Sequence, residues 1–119
     1  MKSLGDEFED RAALWLKDRG LRILAKNYRT RTGEIDLVAL HGDQLVFVEV
    51  RVRRNPRFCS AAASVDRPKQ VRILRAAQRF LQQHSALREL PCRFDVVAFE
   101  APKSGDDAPV RWIKAAFIA

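Results

Sequence analysis

The chain has 119 residues, 47% of them apolar, enough for one packed core and too few for two ordinary domains, so residues 1–119 are expected to form a single domain. Its 22 Lys and Arg outweigh 15 Asp and Glu, and the formal charge of +7 suits a polyanionic partner such as nucleic acid, although a merely soluble basic protein has the same balance. Cys59 and Cys92 stand in no metal-ligand spacing, and no apolar run approaches a signal region or membrane span, so a zinc site and a membrane protein are set aside and a cytoplasmic location is expected.

From Leu4 to Arg19 the apolar positions Leu4, Phe8, Ala12, Trp15 and Leu16 follow the helical period, and Gly20 stands where a helix stops. On this helix Glu9 projects at the margin of the apolar stripe, the best placed of its acids to reach a site, while a solvated helix edge is the ordinary meaning of such a position. Leu21 to Tyr28 is compatible with a strand, and Arg29-Thr30-Arg31-Thr32-Gly33 reads as a basic turn.

Glu34 to Leu40 and Leu45 to Arg53 are β-rich runs separated by His41-Gly42-Asp43-Gln44, with Gly-Asp a two-residue hairpin signal. If Gly42 and Asp43 form the turn, cross-strand partners follow from His41 with Gln44, which sets Asp36 opposite Glu49 and Glu34 opposite Arg51. Val38, Leu40, Leu45 and Phe47 share the face of these acids, while Val46, Val48, Val50 and Val52 take the opposite, core-packing face. Two facing carboxylates repel. A divalent cation such as Mg²⁺ relieves that repulsion, and so does a shared proton or a neighbouring Arg. Arg51 has two readings at this point, a partner of Glu34 in a cross-strand ion pair or a member of a reactive site.

Arg54-Asn55-Pro56 breaks the second run, and Phe58 to Val65 reads as irregular or a short helix. From Asp66, a fitting N-cap, to about Ser85 the apolar face Ile73, Leu74, Ala77, Phe80 and Leu81 predicts a second helix. Arg72, Arg75 and Arg79 project from its other face, where they either track a phosphate backbone or make an ordinary solvated surface. Gln70 falls on the apolar side and needs a partner. Arg93 to Glu100 and Val110 to Ile118 complete the chain as strands, for an α/β core in the order α-β-β-β-α-β-β.

Glu9-Asp10-Arg11-Ala12, Gly33-Glu34-Ile35-Asp36-Leu37, Phe47-Val48-Glu49-Val50-Arg51-Val52-Arg53, Val65 with Lys69, and Arg93-Phe94-Asp95-Val96-Val97 together resemble the bacterial YraN family. The fold of that family is similar to Holliday junction resolvases and restriction endonucleases. The resemblance implies a restriction-endonuclease-like core of the PD-(D/E)xK type, a mixed sheet flanked by helices. It implies Asp36 and Glu49 as metal-binding acids with Glu9 assisting, Mg²⁺ or Mn²⁺ as the cation, and Arg51 in the position of the catalytic lysine. Gln70 matches a helix glutamine seen in some relatives, and Lys69 is a neighbouring basic candidate.

Arg stays charged, so Arg51 cannot act as a general base, but it can stabilise negative charge on a phosphate in transition. A divalent cation that acidifies water supplies a nucleophile without a lysine. The expected function is therefore metal-dependent endonucleolytic cleavage of DNA, including branched or recombination intermediates. Arg53, Lys69, Gln70, Arg72, Arg75 and Arg79 are expected to guide the nucleic acid, and a homodimer is the analogous assembly. The competing reading is a nucleic-acid-binding protein that keeps the nuclease fold with little or no hydrolysis, and a protein-interaction adaptor is the third.

Overall fold

The computed structural model of the protein describes residues 3–53, 60–100 and 109–118. The expected break at Arg54-Asn55-Pro56, with Phe58 and Cys59, and the Pro-, Gly- and Asp-rich loop lie outside the described residues. The order is α1 (Leu4–Lys17), β1 (Arg22–Arg29), β2 (Glu34–His41), β3 (Gln44–Arg53), α2 (Arg67–Gln83), a short 3-10 turn (Ser85–Leu87), β4 (Cys92–Glu100) and β5 (Val110–Phe117). The expected α-β-β-β-α-β-β order and the α/β class are those observed.

The five strands form one open sheet in chain order, with β3 and β4 parallel and every other neighbouring pair antiparallel. A parallel pair needs a crossover, and α2 makes it. The two helices cover opposite faces. Phe8, Ala12, Ala13 and Leu16 of α1 pack on Leu37, Ala39, Val46, Val48 and Val97. On the other face Ile73, Ala76, Ala77 and Phe80 of α2 pack on Val38, Leu45, Phe47, Val96 and Ala98. Both faces of the hairpin are therefore core in its lower half, and Val52, expected inside, is 37% exposed.

Each helix starts where its sequence provides a cap. Ser3 accepts the Asp6 amide at 3.1 Å while Asp6 accepts the Ser3 amide, and Asp66 accepts the Lys69 amide at 2.9 Å. α1 ends at Lys17, two residues before the expected Arg19, and Gly20 turns the chain out at φ +93°.

The hairpin turn is Gly42-Asp43, with Gly42 at φ +63° and His41 paired with Gln44. Leu40 with Leu45 and Val38 with Phe47 follow in the expected register. At the far side of the sheet the fully buried Asp95 accepts from Arg93, from Trp112 Nε1 and from the amide of Ala115, where β5 is irregular at φ +51°. That carboxylate is satisfied within the fold.

Among the described residues no helix is long and apolar enough to cross a membrane.

Candidate active site

The last ladder pair of β2 and β3 is Leu37 with Val48. Continued, the ladder would offer the Val50 amide to Ile35. Instead that amide donates to Asp36 Oδ2 at 2.8 Å, so the strands separate and the Asp36 side chain occupies the opening. Asp36 and Glu49 meet as expected, but across a gap rather than as a ladder pair. The same divergence corrects the expected Glu34–Arg51 pair. Glu34 turns to α2 instead, with Lys69 Nζ at 3.1 Å and Arg72 at 3.6 Å.

Glu49 is 4% exposed. Burial and the facing, hydrogen-bonded Asp36 push its pKa up to about 9, against the opposing pull of Lys69 and Arg51. Glu9 reaches the same carboxyl from α1, and burial first, then Asp36, raises it to about 7. Among the described residues neither Glu49 Oε1 nor Glu9 Oε1 has a hydrogen-bond donor. What the two carboxyls do meet is Asp36, an acceptor facing acceptors, a contact that only a shared proton or a cation makes favourable.

No three ligating side chains among the described residues close into a ready-made metal cage. The unit is the pair Asp36 and Glu49, with Glu9 at its edge. Two carboxylates completed by substrate phosphate oxygens are a donor set that Mg²⁺ takes, and the donorless buried Glu49 oxygen fits a cation there.

Lys69 stands closer to this pair than Arg51 does. Its Nζ lies 3.6 Å from Glu49 Oε2, against 3.9 Å for the Arg51 guanidinium. The Asp66 cap starts α2 so that its first turn projects Lys69 over the strand ends. Lys69, by hydrogen bond and by charge, holds Glu34 below the ordinary carboxylate range, with Arg72 and Arg29 adding to the effect. Arg51 donates to the Ser64 carbonyl, so it also ties the turn before α2 to β3.

Gln70, the polar group in want of a partner, donates to the Val65 carbonyl at 3.0 Å and accepts from Arg67. It braces the same turn. Arg53 is buried against Glu100 at 3.4 Å. Arg72, Arg75 and Arg79 are exposed along α2, as the helical projection predicts.

Sequence reading missed Asn27. It stands in mid-strand at φ +52° between Lys26, paired with Leu37, and Tyr28, paired with Ile35, and therefore beside Asp36. Its amide hydrogen-bonds Glu9 and opposes the rise in that group's pKa. A left-handed residue in a strand brings Tyr28 and Ile35 to the α2 face, against strict alternation with Leu37 on the α1 face. Asn tolerates that conformation better than other non-glycine residues, and its place in the mixed β1 segment was the one available signal.

Residues 8–99 match the model of the family described as "Uncharacterised protein family UPF0102". A UPF0102 protein of Stutzerimonas stutzeri is 48% identical over 116 residues, covering 98% of this chain and 95% of the relative. One from Alcanivorax borkumensis is 46% identical, covering 99% and 94%, and one from Klebsiella pneumoniae is 47% identical, covering 98% and 87%.

Proposed function

The chain belongs to the uncharacterised protein family UPF0102, and from its own site we propose that it hydrolyses phosphodiesters of DNA with the help of Mg²⁺ or Mn²⁺. One observation carries this reading: the buried contact of Asp36 with Glu49, which leaves a Glu49 oxygen without a donor beside cationic side chains. Asp36 and Glu49 would hold the cation, and Glu9 would adjoin it. The bound cation supplies Lewis acidity, polarising the phosphodiester and offsetting its charge.

The remaining roles fall to the chain's own groups. The Val50 amide orients Asp36, and burial under α2 keeps bulk water from Glu49. Lys69 brings to the pair the positive charge that a lysine on β3 would bring, and a lysine, unlike an arginine, can exchange a proton during hydrolysis. Arg51 adds a fixed charge while holding the Ser64 turn. Arg72, Arg75 and Arg79 guide the backbone, and two copies would suit a symmetric branched substrate, a stoichiometry that sedimentation on such DNA reads directly.

The test is cleavage of duplex, single-stranded, flapped and branched DNA with each cation and with chelator, by the wild type and by the Asp36→Asn, Glu49→Gln double variant. Nicking that needs the cation and vanishes in the double variant supports the reading. Equal activity of the two proteins removes it, and salt-sensitive binding without turnover would leave a nucleic-acid-binding protein on a nuclease-like fold.

A further inference from the structure

A cleft of about 380 Å³ lies between the β1–β2 turn and the last two turns of α2, away from the carboxylates. Arg29, Arg31 and Arg79 line it with Thr30 and Thr32, and none of its lining residues is acidic. Arg29 also acts on Glu34 outside the cleft, but Arg31 and Arg79 face no acid among its lining residues, and an anion relieves their mutual repulsion.

The cleft is built on rigid parts. Thr30 Oγ1 accepts from the amides of Thr32 and Gly33 at 3.3 and 3.1 Å, and the Thr30 amide donates to the Gly33 carbonyl at 2.8 Å, which fixes the turn. Gly33 is pressed against α2 so closely that a Cβ there would stand 1.8 Å from the Arg72 carbonyl oxygen. At the base Tyr28 donates its hydroxyl proton to Gln83, and its ring meets Phe80 edge-on at 5.3 Å. A site made of a locked turn and a helix needs little reorganisation to bind.

Helix α2 runs from the carboxylate site to the cleft, with Lys69 near its start and Arg79 near its end. Lys69, Arg72 and Arg79 lie on one side of α2, and the helix rise separates Lys69 from Arg79 by about 15 Å, the reach of a few nucleotides. We infer that this cleft holds an internal backbone phosphate of the nucleic acid strand whose scissile phosphate lies at Asp36 and Glu49, with Arg31 and Arg79 as its main cationic contacts. The inference rests on the nucleic-acid reading above but not on hydrolysis.

The experiment is anisotropy of a fluorescein-labelled DNA oligonucleotide, single-stranded and duplex, titrated in EDTA at several salt concentrations. It compares the Asp36→Asn protein with the same protein carrying Arg31→Ala and Arg79→Ala, and with an Arg19→Ala control just past the C-terminal end of α1. The expected result is roughly tenfold or greater weakening in the double replacement, with the salt slope reduced by roughly one to two, and no change for Arg19→Ala. Because no cation is present and the background is already altered at Asp36, this result stands even where cleavage is never found. Equal affinity and slope with and without Arg31 and Arg79 overturns the inference, as does the absence of all binding at low salt. A loss seen only with a 5′-phosphorylated strand, and not with its 5′-hydroxyl form, also overturns it, because the cleft would then hold a terminal monoester.

Discussion

The Asp36 carboxylate accepts the backbone amide of Val50 at 2.8 Å, one step past the last ladder pair of the hairpin. The main chain of β3 thereby fixes the acid of β2 in the opening between the strands, next to Glu49. The consequences for charge, stability and activity at this junction can each be measured.

Stability should depend on pH in a direction set by Glu49. Its pKa is raised from the ordinary 4.5 to about 9 in the fold, so the unfolded chain ionises first. The stabilisation is complete below about pH 4.5 and is lost as pH rises toward 9, with Glu9 contributing between 4.5 and about 7. Urea unfolding without divalent cations should show a loss on the order of 1–3 kcal/mol between about pH 5 and 8, and Glu49→Gln should remove most of that slope. Parallel profiles for the two proteins would contradict the buried contact.

Mn²⁺ should raise the melting temperature more at pH 8 than at pH 5. A cation held by Asp36 and Glu49 must displace the proton that Glu49 keeps in its absence, so protons compete with it. The Asp36→Asn, Glu49→Gln protein should show no such cation-dependent shift, as followed by calorimetry.

Lys69 and Arg51 should separate in kinetics. Lys69→Ala removes the cation 3.6 Å from Glu49 and should lower kcat by roughly a hundredfold, with the acidic limb of the pH profile moved upward because Glu49 loses a charge that favours its ionised form. Arg51→Lys keeps a positive charge near Glu49 but weakens the hold on Ser64, and should change kcat by less than roughly tenfold. The reverse order would return the lysine role to β3.

Asn27→Gly retains access to the left-handed backbone and deletes the amide that meets Glu9. Glu9 should then titrate above about 7, which carbon-detected NMR of the labelled carboxyl would show. Asn27→Val meets the conformational penalty as well, and should lose a further 1–2 kcal/mol or so of stability in urea.

Gly33→Ala forces a Cβ to 1.8 Å from the Arg72 carbonyl oxygen, with backbone on both sides of the clash. A loss of about 2–4 kcal/mol is expected, since neither the turn nor the helix can yield alone. Gly5→Ala meets only Ser3 Oγ at 3.8 Å and should instead gain a few tenths to about 1 kcal/mol.

Local rules carried much of the fold to the reader of the sequence. Ser3, Gly20 and Asp66 mark helix ends through chemistry that acts within a turn, and the Gly42-Asp43 turn sets a register that places Asp36 near Glu49. The helical projection put Glu9 at the margin of the apolar stripe, and the family resemblance added an expected metal-binding role for it and for Asp36 and Glu49.

Tertiary packing decided the rest. Lys69 and Glu34 are far apart in sequence and meet only because α2 crosses the sheet, and the strands part after Leu37 and Val48 where a side chain replaces a ladder bond. No period or spacing along one strand encodes either event. Thus the alternation of the hairpin determined which residues share a face. The docking of two helices on opposite faces determined which charges meet there, because electrostatic neighbours are set by distance in space and not by order in the chain.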